Sequence, residues 1–411
     1  MQYKVNSEIE PLRLVITHSP GLEHEYVTPE NLIEGKANYL LFDDIIQIEK
    51  AKDEHQQLYD ILHHFTDGNC FEFIDLLKVV LSNIKIKNKL INDCICLEKE
   101  LYDNIINKKD LENLQINDLL NTLLTGFNKE KKIFSYPIPN LIFTRDIAVC
   151  IGNTILITWS KKDVRKRENI LAKYLFENHV FFKDMEIFDF HSHYPDLTIE
   201  GGDILVFDKE RVCIGVSERT PLESIDKLIK LFYKEKFSTI IAIDLPKKRA
   251  LMHLDTIFTR INNNEVLIFP PILDNKYIEN LNTIYIYKNN TLNPQKISKN
   301  IIDILKEDGL NINYIKCGSD NPIYQLREQW TDGANAFAIS PGKIIGYDCN
   351  KHTINELEKS GYKKIKASDY INNYKKYNEI EQKIIITING SELSRGRGGP
   401  RCLTLPLNRL S

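Results

Sequence analysis

The chain has 411 residues, of which 42% are hydrophobic and 27% charged, and its formal net charge is -3 at pH 7. These proportions are typical of a globular protein, and the length fits one large domain with an insertion, or two domains. The small net charge, without a concentrated basic stripe, argues against nucleic acid as a partner. No apolar run approaches the length needed to cross a bilayer, so we expect no membrane partner either.

The first residues and the cysteines predict a cytoplasmic protein. Residues 1–11 carry alternating charges and no apolar core, unlike a signal peptide. The eight cysteines are scattered, and the only close pair, Cys94 and Cys96, lacks a metal-type or redox spacing. No second group of Cys or His completes a zinc site, so we expect reduced thiols and no metal.

The amino-terminal part predicts a strand, a helix and a second strand. Residues 12–18 form an apolar run that stops at Ser19, Pro20 and Gly21, as a strand followed by a turn does. A helix is expected to run through residues 51–65 and to stop at Gly68. A second strand is then expected at residues 71–74.

From about residue 75 to residue 128 the pattern becomes helical. Leu and Ile recur at helical spacing, and neither Gly nor Pro occurs until Gly126. Ile116, Leu119, Leu123 and Phe127 fall on one face of a helix. The sequence therefore predicts a small helical subdomain at 75–128, inserted into a main domain made of residues 1–74 and 129–411.

A loose internal repeat follows, in which a carboxylate or amide precedes a hairpin and often a helix. The units begin at Asp146, Asp203, Asp255 and Asn335. Repeats of one supersecondary unit must stack to bury their apolar faces, which favours a toroid or propeller. With the first strand and the strand after Cys402 counted as one split unit, the sequence predicts an α/β propeller of about five blades.

Equivalent positions of the repeated units are expected to face one central cavity. Asp146, Asp255, Glu200 and Cys402 would then converge there. Carboxylates in one partly desolvated cavity are costly unless a cation lies between them. The pattern therefore indicates a cationic substrate.

Cys402 lies in a glycine-rich tail with three arginines at 395, 397 and 401. Three glycines and a proline before it predict a tight turn, and residues 403–405 predict a strand that ends at Pro406. Such electropositive surroundings favour the thiolate over the thiol. The plain alternative is a surface-loop cysteine among solvated arginines.

Taken one by one, the polar motifs have low specificity. The glycines at 201 and 202 lack the spacing of a dinucleotide fingerprint, and the tail glycines lack the Lys-Ser/Thr ending of a phosphate loop. His253 and Asp255 alone would more often be a hydrogen-bonded pair than a catalytic one.

In their order along the chain, however, the motifs resemble those of the arginine deiminase family, within the wider superfamily of guanidino-group-modifying enzymes. The resemblance runs nearly end to end. It comprises FDD at 42–44, FTRD at 143–146, RKRE at 165–168, EGGD at 200–203, GVSERT at 215–220, MHLDT at 252–256, QWTDGAN at 329–335 and the tail that ends in Cys402. It implies a five-bladed α/β propeller of the pentein type.

The resemblance also implies a reaction, the hydrolysis of free L-arginine to L-citrulline and ammonia in arginine catabolism, without metal or organic cofactor. Asp146 and Asp255 would hold the guanidinium, and the Cys402 thiolate would attack its carbon to form an S-alkylthiouronium intermediate. His253 would protonate the leaving ammonia and then activate water, while Glu200 would hydrogen-bond His253.

The amino-acid end of the substrate would be bound by arginines. By resemblance, Arg165 and Arg219 would clamp the α-carboxylate, with Asn140 nearby and Arg397 closing over the site from the tail. For these arginines, surface charge is the alternative interpretation. Propellers of this superfamily commonly pair, so we expect a homo-oligomer, a dimer or larger.

Two other functions stay open at this point. Another guanidino-modifying enzyme, namely an agmatine or methylarginine hydrolase or an amidinotransferase, would share the nucleophile, the base and the guanidinium site. A catalytically inactive propeller that binds partners is the alternative of a different class. The intact set of Cys402, His253 and carboxylates argues against that second alternative.

Overall fold

The computed structural model describes residues 3–36, 38–273, 283–288 and 290–409. Helices and strands alternate along most of these residues, so the protein has an α/β fold. Among the described helices, none combines the length and the apolar character that a membrane span requires.

The bounds of the regular elements are as follows. The strands are β1 (Leu12–Thr17), β2 (Cys70–Glu72), β3 (Phe127–Asn128), β4 (Lys131–Lys132), β5 (Ala148–Ile151), β6 (Thr154–Ile157), β7 (Glu186–Asp189), β8 (Ile204–Val206), β9 (Arg211–Val216), β10 (Thr239–Asp244), β11 (Phe258–Asn262), β12 (Glu265–Ile268), β13 (Thr283–Lys288), β14 (Gln295–Ser298), β15 (Asn313–Lys316), β16 (Phe337–Ser340), β17 (Lys343–Tyr347), β18 (Lys363–Lys366), β19 (Ile384–Ile388) and β20 (Leu405–Arg409). The helices are α1 (Ile48–Phe65), α2 (Phe73–Leu81), α3 (Ile84–Tyr102), α4 (Lys109–Glu112), α5 (Ile116–Thr125), α6 (Thr144–Ile147), α7 (Lys166–Asn178), α8 (Phe190–His193), α9 (Leu222–Lys234), α10 (Ile301–Glu307), α11 (Pro322–Trp330), α12 (Lys351–Lys359), α13 (Ala367–Asn372) and α14 (Tyr374–Glu379).

Within the described residues these strands form five sheets of three to five strands, besides the β3–β4 hairpin. Their orders are β2-β1-β20, β5-β6-β7, β14-β13-β10-β9-β8, β11-β12-β15 and β16-β17-β19-β18. The predicted repeat is visible in them. In the second sheet β5 pairs with β6 in antiparallel fashion, and β7 then joins β6 in parallel after helix α7. The third, fourth and fifth sheets contain the same combination. Parallel neighbours need a crossover connection, which explains why helices alternate with hairpins.

The first sheet joins distant parts of the chain. β1 pairs in parallel with β2 and in antiparallel fashion with β20, where Val15 lies opposite Pro406. This is the split unit that the sequence predicts. The prediction that Pro406 ends the strand is wrong, because Pro406 lies inside β20. β20 is an edge strand, and an edge tolerates a residue that cannot donate a hydrogen bond.

Helices α2 to α5 occupy most of the segment predicted to be helical. They share one apolar core with the second sheet and α7, since Leu90, Leu119, Ile155 and Leu175 belong to the same buried cluster. A buried ion pair of 3.1 Å between Glu98 in α3 and Arg167 in α7 also connects the two parts. The division of the chain at 75–128 stays a prediction.

Candidate active site

The residues singled out by the motifs meet around one buried pocket. Its lining consists of Leu41, Asn140, Phe143, Asp146, Arg165, Arg219, Arg249, Met252, His253, Thr256, Gly396, Arg397 and Cys402. Glu200 and Asp255 lie directly behind this lining, in contact with His253 and Cys402 respectively. The cavity volume is only about 20 Å³, which is room for one or two water molecules.

The repeated architecture explains this convergence. Asp146 lies in the short helix α6 just before β5, and Glu200 precedes a turn of 3₁₀ helix (Gly201–Asp203) that leads into β8. Asp255 lies in a similar turn, Leu254–Thr256, just before β11. Each carboxylate therefore precedes the first strand of its unit, and stacking the units brings the carboxylates to one place.

The close approach of these turns requires glycine at 202. A Cβ atom on Gly202 would lie 2.5 Å from His253 Nδ1 and 2.9 Å from Asp146 Oδ1. The backbone N–H of Gly202 donates to Asp146 Oδ1 at 3.2 Å. A side chain at this position would push the imidazole and the carboxylate apart.

His253 is held between two carboxylates. Its Nε2 lies 2.8 Å from Glu200 Oε2, and its Nδ1 lies 3.7 Å from Asp146 Oδ1. Burial alone would lower the pKa of His253, but Asp146, the hydrogen bond to Glu200 and the charge of Asp203 together raise it to about 9. The imidazole is therefore protonated at neutral pH.

Glu200 stays ionised although it is buried. Burial opposes its charge, yet Arg219 and the contact with His253 hold the pKa of Glu200 well below its usual range. Both Glu200 oxygens lie 3.4 Å from Arg219 Nη1. Glu200 is thus placed to orient the ring of His253 and to stabilise its positive charge.

Arg165 pairs with the Asp146 carboxylate. Its Nη1 donates to Asp146 Oδ2 at 2.6 Å, and its Nε donates to Glu168 Oε2 at 2.9 Å. Its Nη2 donates to the carbonyl of Asn140 at 3.1 Å, while the Asn140 side chain donates to the carbonyl of Leu40. A guanidinium therefore already fits beside Asp146, and here a protein side chain supplies it.

Cys402 lies next to Asp255. Its Sγ lies 3.6 Å from Asp255 Oδ2, and its backbone N–H donates to Asn335 Oδ1 at 3.2 Å. The other Asp255 oxygen, Oδ1, is buried without a hydrogen-bond partner among the described residues. This oxygen therefore keeps its capacity to accept a hydrogen bond from a ligand in the pocket.

The expectation that the tail arginines favour the thiolate is wrong for this state. Burial raises the pKa of the Cys402 thiol well above its ordinary value, and the charges of Asp255, Asp146 and Asp332 add to the effect. The arginines face other partners, because Arg395 pairs with Asp44 and Arg401 pairs with Glu8 and Asp255. The thiol form is therefore favoured.

Arg401 fixes the carboxylate beside the cysteine. Its Nη1 donates to Asp255 Oδ2 at 2.8 Å, and its Nε and Nη2 donate to the two oxygens of Glu8, each at 2.9 Å. Sequence reasoning did not identify Glu8 as part of the site. Its partner lies almost the whole chain away, so no local pattern could have indicated the pair.

Arg397 covers the pocket from the tail. Its guanidinium lies over the ring of Trp330 at 3.9 Å and donates to the carbonyls of Trp330 and Ala250. The lining also contains six residues that were not among the predicted site residues, namely Leu41, Phe143, Arg249, Met252, Thr256 and Gly396. The FDD motif at 42–44 was the one signal that pointed to the segment of Leu41.

Asp146, Glu200 and His253 also have a spacing that suits a metal ion among the described residues. A metal ligand must be a neutral imidazole, whereas the raised pKa of His253 keeps its ring protonated. Arg165 and Arg219 already engage the two carboxylates. The donor set suits an organic cation better than a metal.

Comparisons with known sequences agree with this chemistry. A family model described as arginine deiminase matches residues 96–409. A protein of Borreliella burgdorferi (strain ZS7) named arginine deiminase is 35% identical, over 98% of this chain and 96% of its own. A protein of Mycoplasma capricolum subsp. capricolum with the same name is 33% identical, over 100% of this chain and 98% of its own.

Solved structures agree in fold. SxtG, an amidinotransferase from Microseira wollei, is similar with a TM-score of 0.52 at 14% identity, over 100% of this chain and 98% of its own. AgrE, solved as a mutant in complex with L-arginine, is similar with a TM-score of 0.53 at 14% identity. The match covers 97% of this chain but only 40% of the AgrE chain. At such identity the likeness concerns the α/β fold alone.

Proposed function

The chain belongs to the arginine deiminase family, and on that premise we propose that it hydrolyses free L-arginine to L-citrulline and ammonia, in arginine catabolism. The observation that supports this most strongly is the pocket itself. A cysteine, an imidazolium and two aspartates face one small buried space, and a guanidinium already lies beside one of the aspartates.

The substrate guanidinium would lie between Asp146 and Asp255. Carboxylates accept the forked N–H donors of a guanidinium in strong, directional hydrogen bonds. The substrate would displace Arg165 from Asp146 and donate to the free Oδ1 of Asp255. The flat cation would then present its carbon to the Cys402 sulfur.

Substrate binding would also activate the thiol. Carboxylate charges and burial keep Cys402 protonated in the empty site. A cation bound between the same carboxylates would offset their negative charge. It would lower the pKa of the thiol, because a nearby positive charge stabilises the thiolate. The nucleophile would therefore form only when there is a substrate to attack.

The remaining steps need a proton donor and then a base. The thiolate attacks the guanidinium carbon, and protonated His253 gives its proton to the leaving nitrogen, which departs as ammonia. The neutral imidazole then takes a proton from water, and the resulting hydroxide attacks the S-alkylthiouronium carbon. Collapse of that adduct breaks the C–S bond and passes the hydroxyl proton to the departing sulfur, which releases citrulline and restores the Cys402 thiol. The proton that the thiol gives up when the substrate binds goes to solvent. Glu200 would hold the ring in position throughout.

The α-carboxylate of the substrate would be bound by Arg219 and by Arg165 once it leaves Asp146. Asn140 and Arg397 would line the same end of the pocket. All four residues line the pocket. This clamp is what would distinguish arginine from a guanidine without a carboxylate.

The same resemblance supports proposals about the whole chain. We propose that the five sheets are the blades of a pentein-type propeller, with residues 75–128 as its helical insertion. Assembly as a homo-oligomer and a cytoplasmic location stay predictions.

A citrulline assay on the purified protein tests the proposed reaction. Cys402→Ala should abolish citrulline formation, because no other group in the pocket can form the thiouronium. Cys96→Ala is the matched control, since Cys96 is exposed and outside the pocket. Full activity of the Cys402 variant, with the fold intact by circular dichroism, would contradict the mechanism.

A substitution at Arg219, which would bind the α-carboxylate, tests which substrate the protein prefers. Arg219→Ala should raise KM for arginine by about tenfold or more, because a desolvated charged pair is worth about 2–5 kcal/mol. The loss for agmatine, which lacks the carboxylate, should be smaller than the loss for arginine, because only the contact between Arg219 and Glu200 is then removed. Equal turnover of agmatine and arginine by the wild type would instead favour an agmatine hydrolase.

A further inference from the structure

Asp43 joins two arginines from different segments across the mouth of the pocket. Its Oδ1 lies 3.4 Å from Arg249 Nε, and its Oδ2 lies 3.4 Å from Arg397 Nε. Arg249 comes just before the turn that carries His253, whereas Arg397 belongs to the tail loop. One carboxylate therefore neutralises cations on both sides of the entrance.

Arg249 has further contacts that close the entrance. It donates through Nη2 to the carbonyl of Leu41 and through Nη1 to the sulfur of Met252. Its guanidinium also lies 5.7 Å from the ring of Tyr39, whose hydroxyl donates to Asp43 Oδ1 at 3.4 Å. Its side chain is only 12% exposed, so these contacts are largely shielded from water.

A second, larger cavity lies immediately outside. It has a volume of about 510 Å³, against about 20 Å³ for the inner pocket. Leu41, Arg219 and Arg249 line both cavities. The contact between Leu41 and Arg249 is therefore part of the wall that separates the inner pocket from the outer one.

The two segments that meet at this wall are held in strained conformations. Leu41 and Arg397 both adopt left-handed backbone angles, with φ of 67° and 66°. Side chains other than glycine rarely adopt this conformation, and it persists where surrounding contacts enforce it. Asp43 connects the two, because it pairs with Arg397 directly and with Arg249, which donates to the carbonyl of Leu41.

We propose that Asp43 and Arg249 are specificity-determining residues that form a latch and restrict the pocket to arginine with a free α-amino and a free α-carboxyl group. This rests on the proposed function, in which Arg219 binds the α-carboxylate. Because Arg219 lines both cavities, the α-carbon end of the substrate lies next to the wall. A group attached to either α substituent would have to pass through the place that Leu41 and Arg249 occupy.

The latch would reject arginine derivatives with a blocked α-amino group, which Arg165 and Arg219 alone would still attract. Positive charges at Arg165 and Arg219 attract any ligand with a carboxylate, including one with an acylated amino group. Closing the wall rejects such a ligand by steric exclusion, which adds a repulsive element to the attractive one. With the latch open, the extra group would extend into the outer cavity.

The test compares free L-arginine with Nα-acetyl-L-arginine and the dipeptide L-arginylglycine as substrates, because each of the two blocked compounds carries an added group that extends beyond the α substituent. For the wild type, Asp43→Asn and Arg249→Ala, the ratio of kcat/KM for free arginine to kcat/KM for each blocked compound is measured. We expect this ratio to fall by about tenfold or more in both variants. Asp44→Asn is the matched control, because Asp44 is the next residue and pairs with the exposed Arg395 instead. Its ratio should stay at the wild-type value.

Each outcome has a definite meaning. Asp43→Asn preserves the shape of the side chain, and thermal unfolding of each variant shows that it is folded. An unchanged ratio in folded Asp43→Asn, or an equal fall in Asp44→Asn, would overturn the latch while leaving the proposed reaction standing. Failure of the wild type to convert any of the three compounds would overturn the proposed function and the latch with it.

Discussion

The two central residues, Cys402 and His253, both hold a proton at neutral pH. The thiol pKa is raised by burial and carboxylates, and the imidazole pKa is raised by its two carboxylate neighbours. An arrangement of this kind protects the sulfur from oxidation and alkylation until a cation arrives, since the thiolate is the reactive form.

Alkylation of Cys402 by iodoacetamide should report this directly. In the wild type the rate should be low at neutral pH and should rise only in the alkaline range, because burial and the nearby carboxylates raise the thiol pKa well above its ordinary value. Asp255→Asn should move the profile to lower pH, since it removes the negative charge that lies 3.6 Å from the sulfur. Cys402→Ala measures the background from the other thiols. A wild-type profile with a midpoint near neutral pH would contradict the raised pKa.

Protonation of His253 should also appear in stability. Its folded pKa of about 9 exceeds the ordinary value of 6.5, so the folded state gains stability that is fully present below pH 6.5 and lost as pH rises through about 9. The difference in free energy of unfolding between the wild type and His253→Gln should therefore shrink over that interval. Urea denaturation at several pH values measures it, and a difference that grows with pH would have the wrong sign.

Sequence reasoning did well on residues that belong to motifs and poorly on their partners. All nine predicted site residues lie in the pocket or directly behind it. Glu8, Arg249 and Arg401 were missed as partners because ion pairs between distant segments leave no local pattern. The predicted thiolate was wrong for a related reason, since counting arginines near Cys402 in sequence says nothing about where their guanidinium groups point.

At the level of elements, the tight turns before the strands determine the site geometry. Repeated hairpins were predictable because alternation of apolar residues and turn residues is local. The 3₁₀ turns that aim Glu200 and Asp255 were not predicted, because they depend on packing between units. Gly202 shows how little space this packing leaves, since a single methyl group there would meet the side chains of His253 and Asp146.

Gly202→Ala should therefore lower kcat by about a hundredfold, because a displacement of about 1 Å in a reacting group costs that much. The loss should exceed any change in KM, since the clamp at Arg219 is not in contact with the new methyl group. Gly346→Ala is a control, because its Cβ would meet only the end of the flexible Ile385 side chain. Steady-state kinetics gives kcat and KM for both variants. A Gly202→Ala variant with wild-type kcat would contradict the close approach of Gly202 to His253 and Asp146.

At the level of the whole molecule, the helices at 73–125 share one apolar core with parts of the first three sheets. Because the apolar cluster is continuous across them, we expect one cooperative unfolding transition for both parts. The Glu98–Arg167 pair lies at this junction, and Glu98 Oε2 also accepts from the backbone N–H of Ser135 at 2.9 Å.

Glu98→Ala should destabilise the protein by about 3–5 kcal/mol, because it leaves Arg167 buried without its counter-charge. Asp75→Ala, which removes an exposed ion pair on the neighbouring helix, should cost about 1 kcal/mol or less. Thermal or urea unfolding compares the two. Similar small losses, or two separate transitions in either variant, would show that the helices are independent of the main body.

The pairing of β1 with β20 has a consequence for how the enzyme acquires activity. The strand that follows the nucleophile is anchored only when Val15 and Pro406 come together, and such a non-local contact closes a very long loop. Contacts of high sequence separation form slowly during folding. A refolding chain would therefore recover its helical circular dichroism well before its catalytic activity. The delay between the two signals would measure how long β1 and β20 take to pair and to position Cys402.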